Sequence, residues 1–293
     1  MNQNNLKHGE FTARLNSLNL WFKISGQGPP CILPTPGWGP SSELYFLSLT
    51  PLEDHLTMIY LDTRGSGRSQ KPERSTDYAL ADFSADIEAL RQHLGLQRVW
   101  IMGHSRGGIH ALHYALHHPT ACIGLLLLDS IAEYDEYWLT DMHARMDRRR
   151  NEPWYERARQ AYDERTLPQD DAAFARKLGE FLEFYFYDLT NMQRAAAVFS
   201  ATSFSVAAWK GQQDSIPGQY GLLERLSGID LPTLIVVGED DFICSPLQAE
   251  RIYQRIAGSR LQILPQAGHF PWLEQPEAFF AAVFEFLAEA GAL

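Results

Sequence analysis

The chain lacks the marks of several protein classes. Its cysteines, Cys31, Cys122 and Cys244, are odd in number and far apart. That argues against a disulfide framework or a cysteine-based zinc site and predicts reduced, buried thiols. No apolar run approaches the roughly 18 residues of a membrane-spanning helix. The opening MNQNNLKHGEFTARLNS has no apolar stretch leading to a small-residue cleavage site, so the expectation is a cytoplasmic protein acting away from membranes. Cations are outnumbered: 25 Lys and Arg stand against 36 Asp and Glu, a formal net charge of -11, which disfavours phosphate-neutralising nucleic-acid surfaces. The one dense basic run, MDRRRNEP, reads as a solvated helix face. Repeats and low-complexity tracts are absent. What is there is a 293-residue chain, 45% hydrophobic and 21% charged, with ample material for a buried core.

Alternation dominates the start, where FTARLNS and LNLWFKISG read as two strands joined by a turn and PPCILPTPGWGP as a strand entering a glycine and proline loop. SSELYFLSLTPLED reads as a helix capped by Ser41 or Ser42. The short apolar run HLTMIYLD suits a buried parallel strand. Leu80, Phe83, Ile87, Leu90 and Leu94 then mark one face of a helix. RVWIMGH, a helix, and ACIGLLLLDS continue the alternation, which predicts a mainly parallel sheet with helices on both faces. The rhythm breaks after Ser130. From about 131 to 226 the pattern is charged, aromatic and helical. Strand and helix then resume with LPTLIVVGEDD, PLQAERIYQRIAG, SRLQILPQAGH and PEAFFAAVFEFLAEA. The organisation expected is therefore a core formed by 1–130 and 227–293, interrupted by a helical insertion over 131–226.

Between a strand and a helix stands Gly103-His104-Ser105-Arg106-Gly107, a G-x-S-x-G pattern. In that setting a sharp turn exposes the serine hydroxyl above the carboxyl edge of the sheet, at a helix N-terminus that favours developing negative charge. A serine is a weak nucleophile near neutral pH and needs a histidine base oriented by an acid. Both are available in the order acid, then histidine. Asp240 and Asp241 end one strand and His269 follows the last, all at the edge where Ser105 is expected.

With these pieces in place, the chain resembles the alpha/beta-hydrolase fold superfamily over nearly its whole length, as a serine hydrolase with a helical cap, or lid, over 131–226. The resemblance implies Asp241, three residues after Gly238, as the acid, with Asp240 as the fallback. It implies His269 as the base, in a histidine loop GHFPWLEQPEAF. It also implies an oxyanion hole of two backbone N–H groups, from Arg106 and from the loop after the third strand. Pro34 and Pro36 have no N–H to give, so the second donor is assigned to Trp38. No metal and no cofactor are expected. His110, His113, His117 and His118 recur at helical spacing but lack carboxylate or thiolate companions.

LDTRGSGRSQKP is similar to a loop of proline iminopeptidases, in which Arg64 is expected to be a structural anchor. The chain departs from that family's pattern at the oxyanion loop, Pro36-Gly37-Trp38-Gly39-Pro40, and at the elbow. The aromatic-rich insertion, Tyr134 to Trp209, suggests a substrate with an apolar or aromatic acyl group. The expected activity is hydrolysis of a small ester or amide through an acyl-serine. A proline iminopeptidase acting on a free amine is the alternative, and a non-catalytic receptor on the same fold belongs to a different class.

Overall fold

The computed structural model describes residues 6–164, 168–215 and 221–292. Strands β1 (Gly9–Leu15) and β2 (Leu18–Gly26) form an antiparallel hairpin. Asn16 and Ser17 turn it with φ of 46° and 69°, the left-handed pair that matches the twist of a two-residue hairpin. The remaining strands are β3 (Pro30–Pro34), β4 (Thr57–Leu61), β5 (Val99–His104), β6 (Cys122–Leu128), β7 (Thr233–Gly238) and β8 (Arg260–Leu264). They make one eight-stranded sheet in the order β1-β2-β4-β3-β5-β6-β7-β8. From β4 to β8 every pairing is parallel.

Both faces of the sheet are covered, which explains why its strands read as continuous apolar runs. On one face Ile32, Ile59, Ile101, Leu125 and Ile235 pack with Leu112 of the helix Gly107–His117 and with Ile87 and Leu90 of the helix Leu80–His93. On the other, Leu33, Tyr60, Met102, Leu126 and Val236 pack with Phe279, Val283 and Leu287 of the helix Pro276–Glu289. Between β6 and β7 the described residues contain helices and no sheet strand, among them Glu136–Asp147, Tyr155–Asp163, Asp171–Gly179 and Val206–Ser215. No helix among the described residues is long and apolar enough to cross a membrane.

One expected element differs. The helix read over SSELYFLSLTPLED is broken into Glu43–Phe46 and a 3-10 turn, Thr50–Asp54. Pro51 cannot supply the N–H that a continuous helix needs. Nor does Ser42 cap it through its side chain: its hydroxyl and its N–H both go to Asp62 Oδ1, each at 2.7 Å.

Candidate active site

Ser105 sits at the end of β5, ahead of the helix Gly107–His117, with φ of 57°. A left-handed backbone at a non-glycine residue is strained and persists only where the surroundings hold it. Here its N–H is fixed to the Leu128 carbonyl at 3.0 Å. The glycines that the turn requires are not quite those of the motif. A Cβ at Gly103 would stand 2.5 Å from the Gly107 carbonyl oxygen, and one at Gly108 would stand 2.2 Å from Ser130 Oγ. At Gly107 the nearest atom would be at an ordinary 3.5 Å. The close helix packing at the Ser105 turn therefore rests on Gly103 and Gly108.

His269 and Asp241 meet each other at the carboxyl side of the sheet. His269 Nδ1 lies 2.8 Å from Asp241 Oδ2, and both residues are buried. The other carboxylate oxygen of Asp241 accepts the N–H groups of Ile243 at 2.9 Å and Cys244 at 3.0 Å, so the carboxylate is held from both sides. Asp240, the fallback, points away: its side chain keeps 31% of its exposure and faces Arg149 at 3.8 Å. His104 fixes the histidine backbone. Its Nε2 lies 3.0 Å from the His269 carbonyl oxygen, so it carries the proton, and Nδ1 accepts from the Tyr45 hydroxyl at 3.1 Å. Burial holds the His104 imidazole well below its usual range, in its neutral form, with His269 adding to the effect.

The loop after β3 brings Trp38 to the same edge. Gly37 and Gly39 flank it with φ of 76° and 118°, and among the described residues the Trp38 N–H donates to nothing. Arg106 begins the helix after Ser105. Its guanidinium donates to the Tyr134 hydroxyl at 2.9 Å and to Gln212 Oε1 at 2.7 Å, joining the serine turn to the helical segment. Arg64 is an anchor, as expected: buried, it binds both Asp86 oxygens at 2.7 Å and the Asp77 carbonyl at 2.7 Å.

A cavity of about 340 Å³ opens here, lined by Pro36, Trp38, His269 and Phe270 and roofed by Leu178, Tyr185, Phe199 and Phe204. Its walls are mainly apolar, and no carboxylate is among the described residues that line it. The glutamates of the helical segment are engaged or outward: Glu133 faces Arg251 at 3.8 Å, Glu183 pairs with Arg157, and Glu136, Glu152, Glu156 and Glu180 are exposed. A second cavity, of about 460 Å³, lies at the opposite edge of the sheet, by the end of β2 and the start of β4, and contains none of these groups.

Asp241, Cys244 and His269 offer three possible metal-ligand atoms within 4.8 Å of one another. The set is poorly suited to a cation. The Asp241 and His269 atoms are spent on each other, and burial together with the Asp241 charge pushes the Cys244 thiol well above its usual range, where it keeps its proton. The helical histidines form no cluster either. His110 is stacked on Phe83 with ring centroids 4.3 Å apart and is driven down to about 3 by burial, while His113 stacks on His117 at 3.9 Å.

Residues 30–276 match the alpha/beta hydrolase fold family. The chain belongs to that family. It is 28% identical to a proline iminopeptidase of Lactobacillus helveticus over 91% of this chain and 93% of that one. Its fold is similar to an alpha/beta fold hydrolase from Bacillus anthracis, with a TM-score of 0.79 at 18% identity over 96% of this chain and 99% of that one. It is also similar to an esterase from Rhodococcus, with a TM-score of 0.75 at 21% identity over 98% and 100%. Family and relatives together support a hydrolase.

Three residues at the site escaped the sequence reading. Asp129 ends β6 at the same sheet edge, and its signal, a carboxylate closing the buried run LLLLD, equals that of Asp240 and Asp241. Glu274, inside the histidine loop, accepts the N–H groups of Gly268 at 2.6 Å, Tyr187 at 2.9 Å and Asp188 at 3.1 Å. Cys244 is buried, as expected of all three cysteines, but its Sγ lies 4.0 Å from Ser105 Oγ, a closeness that depends on the turn after β7 and has no local sequence mark.

Proposed function

We propose that the protein is a serine hydrolase acting on a small, neutral ester with an apolar or aromatic acyl group. The helical segment between β6 and β7 is its cap. Ser105 is the nucleophile, His269 the general base and then acid, and Asp241 the acid that orients it. The observation that carries this reading is the 2.8 Å contact between His269 Nδ1 and Asp241 Oδ2, together with Ser105 held in a strained left-handed turn at the end of β5. With Nδ1–H given to Asp241, Nε2 holds the lone pair. It takes the Ser105 proton as Oγ bonds to the ester carbonyl carbon. The tetrahedral oxyanion is met by the Trp38 and Arg106 N–H groups. As the carbon–oxygen bond breaks, His269 returns the proton to the departing alcohol. Water then attacks the acyl-serine by the same steps in reverse, releasing the acid and restoring Ser105.

The proline iminopeptidase reading is favoured by the 28% identity to such an enzyme along 91% of the chain. Against it stands the cavity, which offers a substrate ammonium no carboxylate among its lining residues. Burying an unpaired ammonium is costly, so the ester reading is preferred. Hydrolysis of p-nitrophenyl esters of increasing acyl size, beside prolyl and alanyl arylamides, tests both, with Ser105→Ala as the blank. Ester turnover lost in the variant is the expected result. Arylamide turnover that requires a free amine would install the exopeptidase. Failure of the folded wild type to take a serine-reactive phosphonate label would leave the receptor reading.

A further inference from the structure

Asp129 is fully buried at the carboxyl end of β6, in a left-handed conformation with φ of 42°. Its Oδ1 accepts the Gly238 N–H at 2.9 Å, tying the ends of β6 and β7 together. Its Oδ2 is equally buried, yet meets no donor among the described residues. The charge that bears most on this carboxyl is that of Asp241, which follows Gly238, the partner of Asp129 Oδ1, by three residues. Asp241 has nothing to donate: its oxygens already accept from Ile243, Cys244 and His269. Two carboxylates facing each other are acceptors only, and an unpaired charge in a dry interior is expensive. One proton placed between them turns the repulsive contact into a donor–acceptor pair.

We propose that Asp129 is held as the neutral acid and donates its Oδ2–H to the Asp241 carboxylate, making it a positioning residue for the His269–Asp241 pair. The inference rests on the serine-hydrolase reading above. The titratable groups around Asp129 agree in sign. Asp241 and, more weakly, Glu274 oppose a second negative charge, the Cys244 thiol keeps its proton under the Asp241 and Asp129 charges, and His269 is paired with Asp241. Burial and the Asp241 charge push the Asp129 carboxyl well above the usual carboxylate range. With this donor in place, Asp241 has a fixed partner on the side away from the imidazole and keeps Oδ2 turned toward His269.

The test compares Asp129→Asn with Asp129→Leu in the full-length enzyme, using an ester substrate found in the screen. An asparagine amide can accept from Gly238 and donate to Asp241, and it carries no charge. Expected for Asp129→Asn are a kcat within about twofold of wild type and an acid limb of the kcat/KM–pH profile within about 0.3 pH unit. A protonated-carboxyl infrared band present in wild type at neutral pH should be lost in that variant. Asp129→Leu, which can donate nothing, should lose kcat by about tenfold or more with KM unchanged. Should the leucine variant fail to fold, the asparagine variant and the infrared band decide. An acid limb displaced downward by about one unit or more in Asp129→Asn, the response to losing a nearby negative charge, would overturn the inference, as would absence of the band. Phosphonate labelling of Ser105 in wild type reports separately on the hydrolase reading: with labelling intact, a displaced limb sinks only the role of Asp129.

Discussion

The identity of the acid is the sharpest test of the site, because Asp240 and Asp241 are neighbours in the chain and opposites in environment. Asp241→Asn keeps the shape of the side chain. Its Oδ1 can still accept the Ile243 and Cys244 N–H groups, which now lie at 2.9 and 3.0 Å, so the fold and the loop should survive. The Nδ2 group then faces His269 Nδ1 at what was a 2.8 Å contact. Two donors cannot share that contact, so the imidazole must accept at Nδ1 and carry its proton on Nε2. In that tautomer it cannot receive the Ser105 proton. A wrong-tautomer base costs on the order of 10³ to 10⁴ in kcat, which at 1.36 kcal/mol per decade is about 4 to 5.5 kcal/mol of transition-state stabilisation. Asp240→Asn removes only a 3.8 Å pairing of a part-exposed carboxylate with Arg149, worth about 0.5 kcal/mol or less. Steady-state ester hydrolysis by the two purified variants, with thermal melts as a folding control, makes the comparison. An Asp241→Asn enzyme within tenfold of wild type would refute the assignment and move the orienting role to Asp129.

Two further substitutions probe the frame around the site. Arg64→Met strips the buried Asp86 of its bidentate partner and should destabilise the protein by about 3 to 5 kcal/mol in urea unfolding. Arg64→Met/Asp86→Leu should recover most of that loss, and a double variant as unstable as the single one would contradict the reading of Arg64 as an anchor for a buried charge. Glu274 bears on pH. Burial raises its carboxyl from 4.5 to about 7 despite three N–H donors. The folded state therefore binds the extra proton between those values, so its contribution is full below pH about 4.5 and is lost as pH rises through about 7. The span corresponds to about 3 kcal/mol. Unfolding free energies from urea titrations at about pH 5 and about pH 8 should differ by about 2.5 kcal/mol more in wild type than in Glu274→Gln, and equal pH slopes for the two proteins would dispose of the linkage.

The sheet and the serine turn were legible because their physics is local. Buried parallel strands must be apolar on both faces, so Thr57–Leu61 and Cys122–Leu128 announce themselves as runs. A strand entering a helix through a strained serine needs small neighbours, as at Gly103 and Gly108. His269 was readable from its place after the last strand. The choice between Asp240 and Asp241 was not readable from local pattern, since it turns on which way one side chain points after Gly238, and family resemblance rather than periodicity supplied it. Asp129 bore the same mark as both, yet only the register that sets β6 beside β7 brings it to Asp241. The break in the helix after Phe46 was foreseeable from Pro51. The fate of the Ser42 hydroxyl was not, because Asp62 reaches it from the loop after β4.

The helical segment and the histidine loop are tied through backbone as well as side chains. The His269 N–H donates to the Tyr185 carbonyl at 2.8 Å, and a Cβ on Gly268 would stand 2.4 Å from that same oxygen. Glu274 gathers the N–H groups of Gly268, Tyr187 and Asp188 onto one carboxylate. The Tyr185 side chain meanwhile lines the cavity. One short stretch of the helical segment thus turns its side chain to the cavity and its backbone to His269. On the proposed serine-hydrolase reading, broken backbone ties there disturb the chemical step as well as binding, whereas a change confined to the Tyr185 ring alters which acyl groups fit while the His269–Tyr185 link stays intact. On that reading, selection among substrates and placement of the base are separable at the side-chain level and coupled at the main chain.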